Sequence, residues 1–211
     1  MTVVFKLGGS LLTLPGLEDK LRFVVSQRPG ERCLILVGGG ASTDVVREWS
    51  RTHHLSDETS HWLAISSLDL NRQLLESLLP WRPISTRADA ESLWSERRSP
   101  LLLDVAQFSK REEADGCEPL PHNWDVTSDS LAAWAAVRWP ADEFILLKSV
   151  PTPHGLTSLE ASRRELVDPY FPQLSKGLPR ILWCNLRASK IEIEPWLAKS
   201  ADSSETTNES A

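Results

Sequence analysis

Two apolar segments, each closed by a run of glycines, constrain the fold of this chain most. Val3–Leu7 is followed by two glycines and Cys33–Val37 by three. Neither segment alternates apolar with polar residues, a pattern typical of strands buried on both faces of a parallel sheet. Helical segments separate such strands along the chain, so the sequence predicts an α/β fold whose parallel sheet is covered by helices on both faces.

The rest of the chain continues this alternation. Predicted helices cover Leu11–Gln27, interrupted near its start by Pro15-Gly16, and then Ala41–Arg51, Ser56–Leu79 and Thr127–Trp139. Predicted strands cover Leu101–Leu103, Phe144–Leu147 and Pro179–Cys184, and Lys110–Gly116 is predicted to be a charged surface loop. Ser56 has the side chain of a helix N-cap, and Pro80 ends the helix that Ser56 begins.

Length and composition indicate one soluble domain. The 211 residues are enough for a single core, and we expect one domain over residues 1–198. Residues 199–211 are rich in Ser, Thr, Glu and Asn, which predicts a disordered tail. The formal net charge of −6 argues against nucleic acid or an anionic membrane as the main partner.

The sequence favours the cytoplasm. It has no apolar run long enough to span a bilayer, and its start lacks the pattern of a signal peptide. Cys33, Cys117 and Cys184 are far apart and form no CxxC pair, so buried thiols are expected at Cys33 and Cys184 rather than a metal site.

The first candidate site is the turn after the first strand. Lys6 stands at the end of this strand, and Gly8, Gly9 and Ser10 follow it. Glycines let a backbone approach a ligand closely, N–H groups at a helix start favour an anion, and a lysine neutralises phosphate oxygens. A tight structural turn with a surface lysine is the alternative interpretation. The spacing is neither a Walker A loop nor a dinucleotide fingerprint.

The second candidate is the triple glycine after the next strand, Gly38, Gly39 and Gly40. A turn needs one or two glycines, so a third indicates a backbone built for close approach to a ligand. The carboxyl ends of parallel strands share one edge of the sheet, where open α/β sheets bind ligands. We therefore expect both glycine loops at one site.

A polar segment before the alanine-rich helix is the third candidate. Asn123, Asp125, Thr127 and Asp129 precede or begin that helix. Asp125 or Thr127 would cap it, but capping needs fewer polar groups than this segment has. Asp129 is placed to hold a catalytic lysine.

Two further residues are candidates. Lys148 directly follows a predicted strand and would reach the same edge as Lys6, although a solvent-exposed lysine is the alternative. His61 is either packed in the core or lines a pocket. The histidines have no zinc-binding spacing, so no protein-held metal is expected.

In this order, the two glycine loops and the Thr127–Ala133 segment resemble the amino-acid kinase superfamily, which includes acetylglutamate, aspartate, carbamate and uridylate kinases. The resemblance runs from residue 3 to about residue 150. Thr59–Ile65 is similar to one branch, that of the aminomethylfuran-methyl-phosphate kinase of methanofuran biosynthesis. This branch implies a place in one-carbon cofactor synthesis.

The resemblance implies a three-layer αβα sandwich around a mainly parallel open sheet, with ATP over its C-terminal half and the acceptor over its N-terminal half. Lys6 would stabilise the transferred phosphoryl group, with Asp129 orienting Lys6, and the backbone of Gly8, Gly9 and Ser10 would cradle this group of the nucleotide. Lys148 and Asp168 are not part of the family pattern; we expect Lys148 to supply a second catalytic charge, and both residues to lie at the nucleotide. Acceptor would be bound by Gly38, Gly39, Gly40, His61, Asn123, Asp125 and Thr127. Mg²⁺ would arrive with ATP, and a homo-oligomer is expected.

The sequence departs from the family pattern after residue 147. Many relatives have a Thr-Asp-Val-Asp-Gly segment there, but this chain has Leu147-Lys148-Ser149-Val150-Pro151. A later glycine-rich segment with a second catalytic lysine is also missing. The motifs before residue 147 make an ATP-dependent kinase of a small anionic acceptor, a phosphate or a carboxylate, the leading hypothesis, and the missing acidic segment motivates an alternative. The alternative is a non-catalytic ligand-binding or storage protein with a degraded nucleotide site.

Overall fold

A single seven-stranded sheet organises the structure, a computed structural model that describes residues 1–116 and 118–198. The strands are β1 Thr2–Leu7, β2 Arg32–Val37, β3 Arg82–Ile84, β4 Leu101–Leu103, β5 Glu143–Lys148, β6 Arg180–Asn185 and β7 Ile193–Ala198. Their order is β3-β4-β2-β1-β5-β6-β7, and every neighbouring pair is parallel except β6 and β7. The predicted, mainly parallel sheet is confirmed.

Eight α-helices connect the strands within the described residues. They are α1 Leu17–Ser26, α2 Ala41–His53, α3 Asp57–Leu78, α4 Arg87–Glu96, α5 Val105–Ala114, α6 Ser128–Arg138, α7 Ser158–Arg163 and α8 Phe171–Ser175. A short 3₁₀ helix, Gly9–Leu11, follows β1. In this part of the chain, no helix combines the length and apolar character that crossing a bilayer requires.

Both faces of the sheet are buried, as the continuous apolar strands predict. Side chains alternate along a strand, so Val4 packs on one face and Val3 and Phe5 on the other. The Val4 face lies against α6, whose Ala132, Ala133 and Ala136 are almost completely buried. The opposite face lies against α1. The result is the three-layer αβα arrangement expected from the sequence.

Several helix predictions are confirmed with small changes in their ends. Ser56 caps α3 by accepting a hydrogen bond from the backbone N–H of Thr59 at 3.2 Å. The helix predicted over Leu11–Gln27, with an interruption at Pro15-Gly16, is wrong only for the residues before that interruption, because α1 begins at Leu17.

The surface loop predicted over Lys110–Gly116 is also wrong. Its first residues are the second half of α5, which begins after Asp104 caps its first turn. A dense run of charges on the outer face of a helix resembles a loop in a sequence, because neither contributes core residues.

The cysteine prediction is confirmed for two residues. Cys33 and Cys184 are buried free thiols, and burial raises the pKa of each to about 12. Cys117 and the tail predicted over residues 199–211 lie outside the described residues.

Candidate functional site

One buried carboxylate holds two lysines at the carboxyl edge of the sheet. Asp129 Oδ1 lies 2.8 Å from Lys6 Nζ, and its Oδ2 lies 2.8 Å from Lys148 Nζ. Asp129 is 5% exposed and Lys6 4%. Three residues predicted from separate segments therefore form one cluster, which we call the Lys-Asp-Lys triad, and its net charge is positive when both lysines are protonated.

Strand alternation explains why the triad forms. Lys6 stands two residues after Val4 and therefore faces α6, and Lys148 stands two residues after Leu146 on the same face of β5. β1 and β5 are neighbours in the sheet. Asp129 lies in the first turn of α6, directly above both strand ends.

The charges of the triad set its protonation. Burial alone would raise the pKa of Asp129, but the Lys148 and Lys6 ammonium groups outweigh it and lower this pKa to about 2. Burial lowers the pKa of Lys148 to about 8, with Lys6 adding to the decrease and Asp129 opposing it. Asp129 is therefore ionised at neutral pH and is too weak a base to remove a proton from a substrate.

The two glycine loops pack against each other beside this triad. A β-carbon on Gly9 would lie 2.1 Å from the backbone nitrogen of Gly40, and one on Gly40 would lie 2.6 Å from the Gly9 carbonyl oxygen. Gly40 also has a φ of +54°, which disfavours other residues. Backbone-to-backbone contact thus accounts for these two glycines, and it fixes the relative position of both loops.

Asn71 holds the second glycine loop from below and was not predicted from the sequence. This buried α3 side chain donates through Nδ2 to the carbonyl oxygens of Gly38 and Gly39, both at 2.7 Å. An asparagine at helical spacing between Leu68 and Leu75, both on the buried face of α3, was the available signal, because a buried amide requires partners.

Asp168 anchors the start of α6. Its two carboxylate oxygens accept five hydrogen bonds, from the N–H and Oγ1 of Thr127, the N–H and Oγ of Ser130 and the N–H of Phe171. Thr127 occupies the N-cap position without capping through its own side chain. This arrangement favours a supporting role for Asp168 over the nucleotide contact predicted from the sequence.

The turn before Asp168 also contacts the triad. Lys148 donates to the carbonyl oxygen of Leu166 at 2.8 Å, so Asp129 and Leu166 take two of its three N–H groups. Glu165, just before, has a φ of +57°, which is rare outside glycine. Residues 165–168, which we call the supporting turn, thus hold both Lys148 and the α6 start.

A pocket of about 120 Å³ lies on the β2 side of the triad, between α2, α3 and the segment before α6. Five of the seven predicted acceptor residues line it: Gly39, Gly40, His61, Asn123 and Thr127. Gly38 does not line the pocket: a β-carbon added to it would lie 2.8 Å from the Ser128 hydroxyl oxygen. Asp125 is exposed and also lies outside the lining.

Arg47 and Trp124 also line the pocket, and neither was predicted from the sequence. The Arg47 guanidinium lies 4.9 Å from the centre of the Trp124 ring, and it also pairs with Asp44 at 2.9 Å. A stacked guanidinium is a common recognition group for phosphate and carboxylate. In the sequence, the spacing of Asp44 and Arg47 is that of an ordinary ion pair on a helix surface, so it does not indicate a binding site.

His61 is kept neutral by its surroundings. Burial, and the positive charge of the stacked His122 ring, lower its pKa to about 4, with Glu58 opposing. The two rings lie 4.3 Å apart and nearly parallel, and His122 bridges Glu58 and Glu113. Burial works against the charge on His122, but both carboxylates outweigh it and raise its pKa. His61 therefore presents an uncharged ring to the pocket.

Within residues 1–116 and 118–198, no three His, Cys, Asp or Glu side chains are grouped as a metal site. Asp129, the buried carboxylate of the triad, already holds two ammonium groups. These residues do not fit a protein-held cation, although a cation bound to nucleotide phosphates needs few protein ligands.

Known proteins share this fold and part of this sequence. The [5-(aminomethyl)furan-3-yl]methyl phosphate kinase of Methanocaldococcus jannaschii is 25% identical over 149 residues, which are 70% of this chain and 65% of that protein. The match thus spans just under two thirds of the relative's length.

Solved structures agree in fold. Uridylate kinase from Archaeoglobus fulgidus is 20% identical with a TM-score of 0.60, covering 87% of this chain and 89% of that chain. Aspartate kinase from Synechocystis is 12% identical with a TM-score of 0.66, covering 96% of this chain and 41% of that chain. The model of the amino acid kinase family matches residues 1–152, and the chain belongs to this family.

Proposed function

We propose that this protein is an ATP-dependent kinase that transfers the γ-phosphoryl group to a phosphate or carboxylate oxygen of a small molecule. The observation that carries the proposal is the Lys-Asp-Lys triad beside two interlocked glycine loops. Phosphoryl transfer needs positioning and positive charge rather than a protein nucleophile, and this site supplies both.

The protonation of the site supports an acceptor that is already ionised. Asp129 has a pKa of about 2 and His61 one of about 4, so both are weak bases. A hydroxyl acceptor would require removal of its proton, whereas a phosphate or carboxylate oxygen attacks the γ-phosphorus directly. The bond between that phosphorus and the bridging oxygen of ADP breaks as the new bond forms.

Each part of the site has a role in that transfer. Lys6 stabilises the charge on the transferred phosphoryl group, and the Gly8–Ser10 backbone lies against it. Lys148 adds the second positive charge, and Asp129 keeps the two ammonium groups in place. Mg²⁺ carried by the nucleotide would neutralise further phosphate charge.

We place the nucleotide over the carboxyl ends of β5 and β6. A groove there is lined by Pro151, Thr152, Asn185, Ala188 and Lys190, together with Glu192 and Glu194. It lies on the opposite side of the triad from the acceptor pocket, as transfer between two bound molecules requires. This placement agrees with the general rule that open α/β sheets bind their ligands at the carboxyl ends of their strands.

The acceptor pocket suits a phosphorylated aromatic molecule that also carries an aliphatic ammonium group. Trp124 and the neutral His61 offer ring faces, Arg47 offers a guanidinium, and Asp44 offers a carboxylate for an ammonium group. The name of the M. jannaschii relative describes such a molecule, an aminomethylfuran with a methyl phosphate. We therefore place the protein in one-carbon cofactor synthesis of the methanofuran or tetrahydromethanopterin type, acting in the cytoplasm as a homo-oligomer.

The test is whether the protein turns over [5-(aminomethyl)furan-3-yl]methyl phosphate with Mg-ATP, and the release of ADP measures this turnover. Lys6→Ala should lower kcat by about 100-fold or more, the scale of losing one charge stabiliser. Lys176→Ala, which removes an exposed lysine from the end of α8, is the matched control and should leave kcat unchanged. Full activity in Lys6→Ala would contradict the mechanism.

A second candidate is a non-catalytic ligand-binding protein on the same fold. It is favoured by the family match, which ends at residue 152, before the groove assigned to the nucleotide is complete. Calorimetry separates the two: the absence of Mg-ATP binding at about millimolar concentration, an affinity near −4 kcal/mol, would support the binding protein.

A further inference from the structure

Arg187 reaches from the end of β6 to the first glycine loop. Its Nη2 donates to the carbonyl oxygen of Ser10 at 3.0 Å. β5 lies between β6 and β1 in the sheet, so the side chain crosses the carboxyl end of β5 to make this contact. The guanidinium is therefore placed beside Ser10 and above the strand that carries Lys148.

The backbone of Arg187 is held in position by two contacts. Its N–H donates to Asn185 Oδ1 at 2.9 Å, and the N–H of Leu186 donates to the Lys148 carbonyl oxygen at 3.0 Å. Ser149, next along the chain, contacts the Ser10 hydroxyl at 3.1 Å. The ends of β1, β5 and β6 are thus joined into one continuous rim, with Arg187 on its solvent side.

The charge of this rim differs from that of the triad. Lys6 and Lys148 are buried and share the carboxylate of Asp129, so together they present a net charge of only one. Arg187 is exposed, and no carboxylate among the described residues is found in an ion pair with it. Its full charge is therefore available to a ligand at the first glycine loop.

We propose that Arg187 binds the β- and γ-phosphates of the nucleotide, as an additional cation of the site. The inference rests on the proposed kinase function and extends it to a residue beyond the region that the family model matches. A guanidinium suits this position because it offers several N–H donors in one plane, and two of them can bind two phosphate oxygens while another keeps the Ser10 contact.

Nucleotide binding tests the inference without an acceptor. Mg-ATP affinity would be measured by calorimetry, and adenosine binding by ligand-observed NMR, for the wild type and four variants. Arg187→Ala removes the group, Arg187→Lys keeps the charge, and Arg187→Gln keeps a donor without charge. Arg98→Ala is the control, because it removes an exposed arginine beside Met1 and Asp142 at the opposite edge of the sheet.

We expect Arg187→Ala and Arg187→Gln to weaken Mg-ATP binding about tenfold or more, the effect of losing a charge-assisted hydrogen bond. Arg187→Lys should recover part of the loss, adenosine binding should not change, and Arg98→Ala should match the wild type. Wild-type Mg-ATP affinity in Arg187→Ala would overturn the inference and leave the kinase proposal standing. If the wild type itself binds no Mg-ATP, both fail together.

Discussion

The ammonium of Lys6 and the carboxylate of Asp129 meet 2.8 Å apart in the interior, although one ends the first strand and the other begins the sixth helix. Both side chains are almost completely buried. A buried ion pair is a weak source of stability, but removal of one partner leaves an uncompensated charge. The pair therefore ties the active arrangement of the site to the stability of the fold.

Asp129→Asn should destabilise the protein by about 3–5 kcal/mol, because two buried ammonium groups would then face each other without a counter-charge. The change in the free energy of unfolding can be measured by urea denaturation, with tryptophan fluorescence as the signal. Asp44→Asn, which removes an exposed carboxylate from α2, should cost less than about 1 kcal/mol. Equal losses in the two variants would contradict the buried pair.

Lys148 should set the alkaline limit of nucleotide binding. Its pKa is about 8, so it loses its proton as the pH rises through 8 and the triad loses its net positive charge. Mg-ATP affinity should therefore fall between about pH 7 and pH 9, as measured by calorimetry. Lys148→Arg should move this decrease to higher pH, since arginine stays protonated. If Lys148→Arg does not change the pH at which Mg-ATP affinity falls, Lys148 is not the group responsible for that fall.

Gly9→Ala should be more harmful than an ordinary glycine substitution. The new β-carbon would meet backbone atoms of Gly40 at 2.1 Å, so both loops must separate. We expect a loss of at least about 3 kcal/mol, the upper range for overpacking. Gly155→Ala is the comparison: its φ is +75° but nothing lies near the added methyl, so about 1 kcal/mol is expected. Thermal unfolding of both variants measures the difference.

Asp168→Asn should loosen the start of α6. An amide has one acceptor oxygen, whereas the carboxylate accepts from Thr127, Ser130 and Phe171 with both of its oxygens. A loss of about 3 kcal/mol is expected, since buried donors lose their acceptor. Thr127→Val removes one hydroxyl donor and should cost less. Hydrogen exchange of the first α6 amides should be faster than in the wild type. Exchange as slow as in the wild type would contradict the anchoring role.

The stacked histidines should titrate far apart. His61 has a pKa of about 4, and the pKa of His122 is raised above its ordinary value of 6.5 by Glu113 and Glu58. NMR titration of the ring protons, assigned with His61→Gln and His122→Gln, measures both. Glu113→Gln should lower the midpoint of His122, whereas Glu96→Gln on the outer surface of α4 should not.

The sequence predicted the site residues that stand at the ends of strands. Lys6 and Lys148 follow apolar strands whose direction and burial are visible in the sequence, so their meeting at one edge follows from a parallel sheet. Asp129 was identified by its place in the first turn of an alanine-rich helix. Local patterns are sufficient for such residues, because the sheet itself brings them together.

The features that were not predicted depend on tertiary packing, which local sequence patterns do not show. Arg47 and Asn71 stand on helices, and only the packing of α2 on α3 shows which of their faces meets the glycine loops. β7 pairs antiparallel with β6 and contains Pro195, which disfavours a strand except at an edge. The Glu165 conformation gives no signal in the sequence at all.

The supporting turn has a consequence for when the site is completed during synthesis. A ribosome makes Lys6, Asp129 and Lys148 before it makes the Leu166 carbonyl, which holds Lys148, and the Asp168 carboxylate, which holds the start of α6. A nascent chain ending near residue 160 would carry every member of the triad, yet the first turn of α6 would have no anchor. Competence to bind phosphate should therefore arise late in translation, when the last part of the domain leaves the exit tunnel.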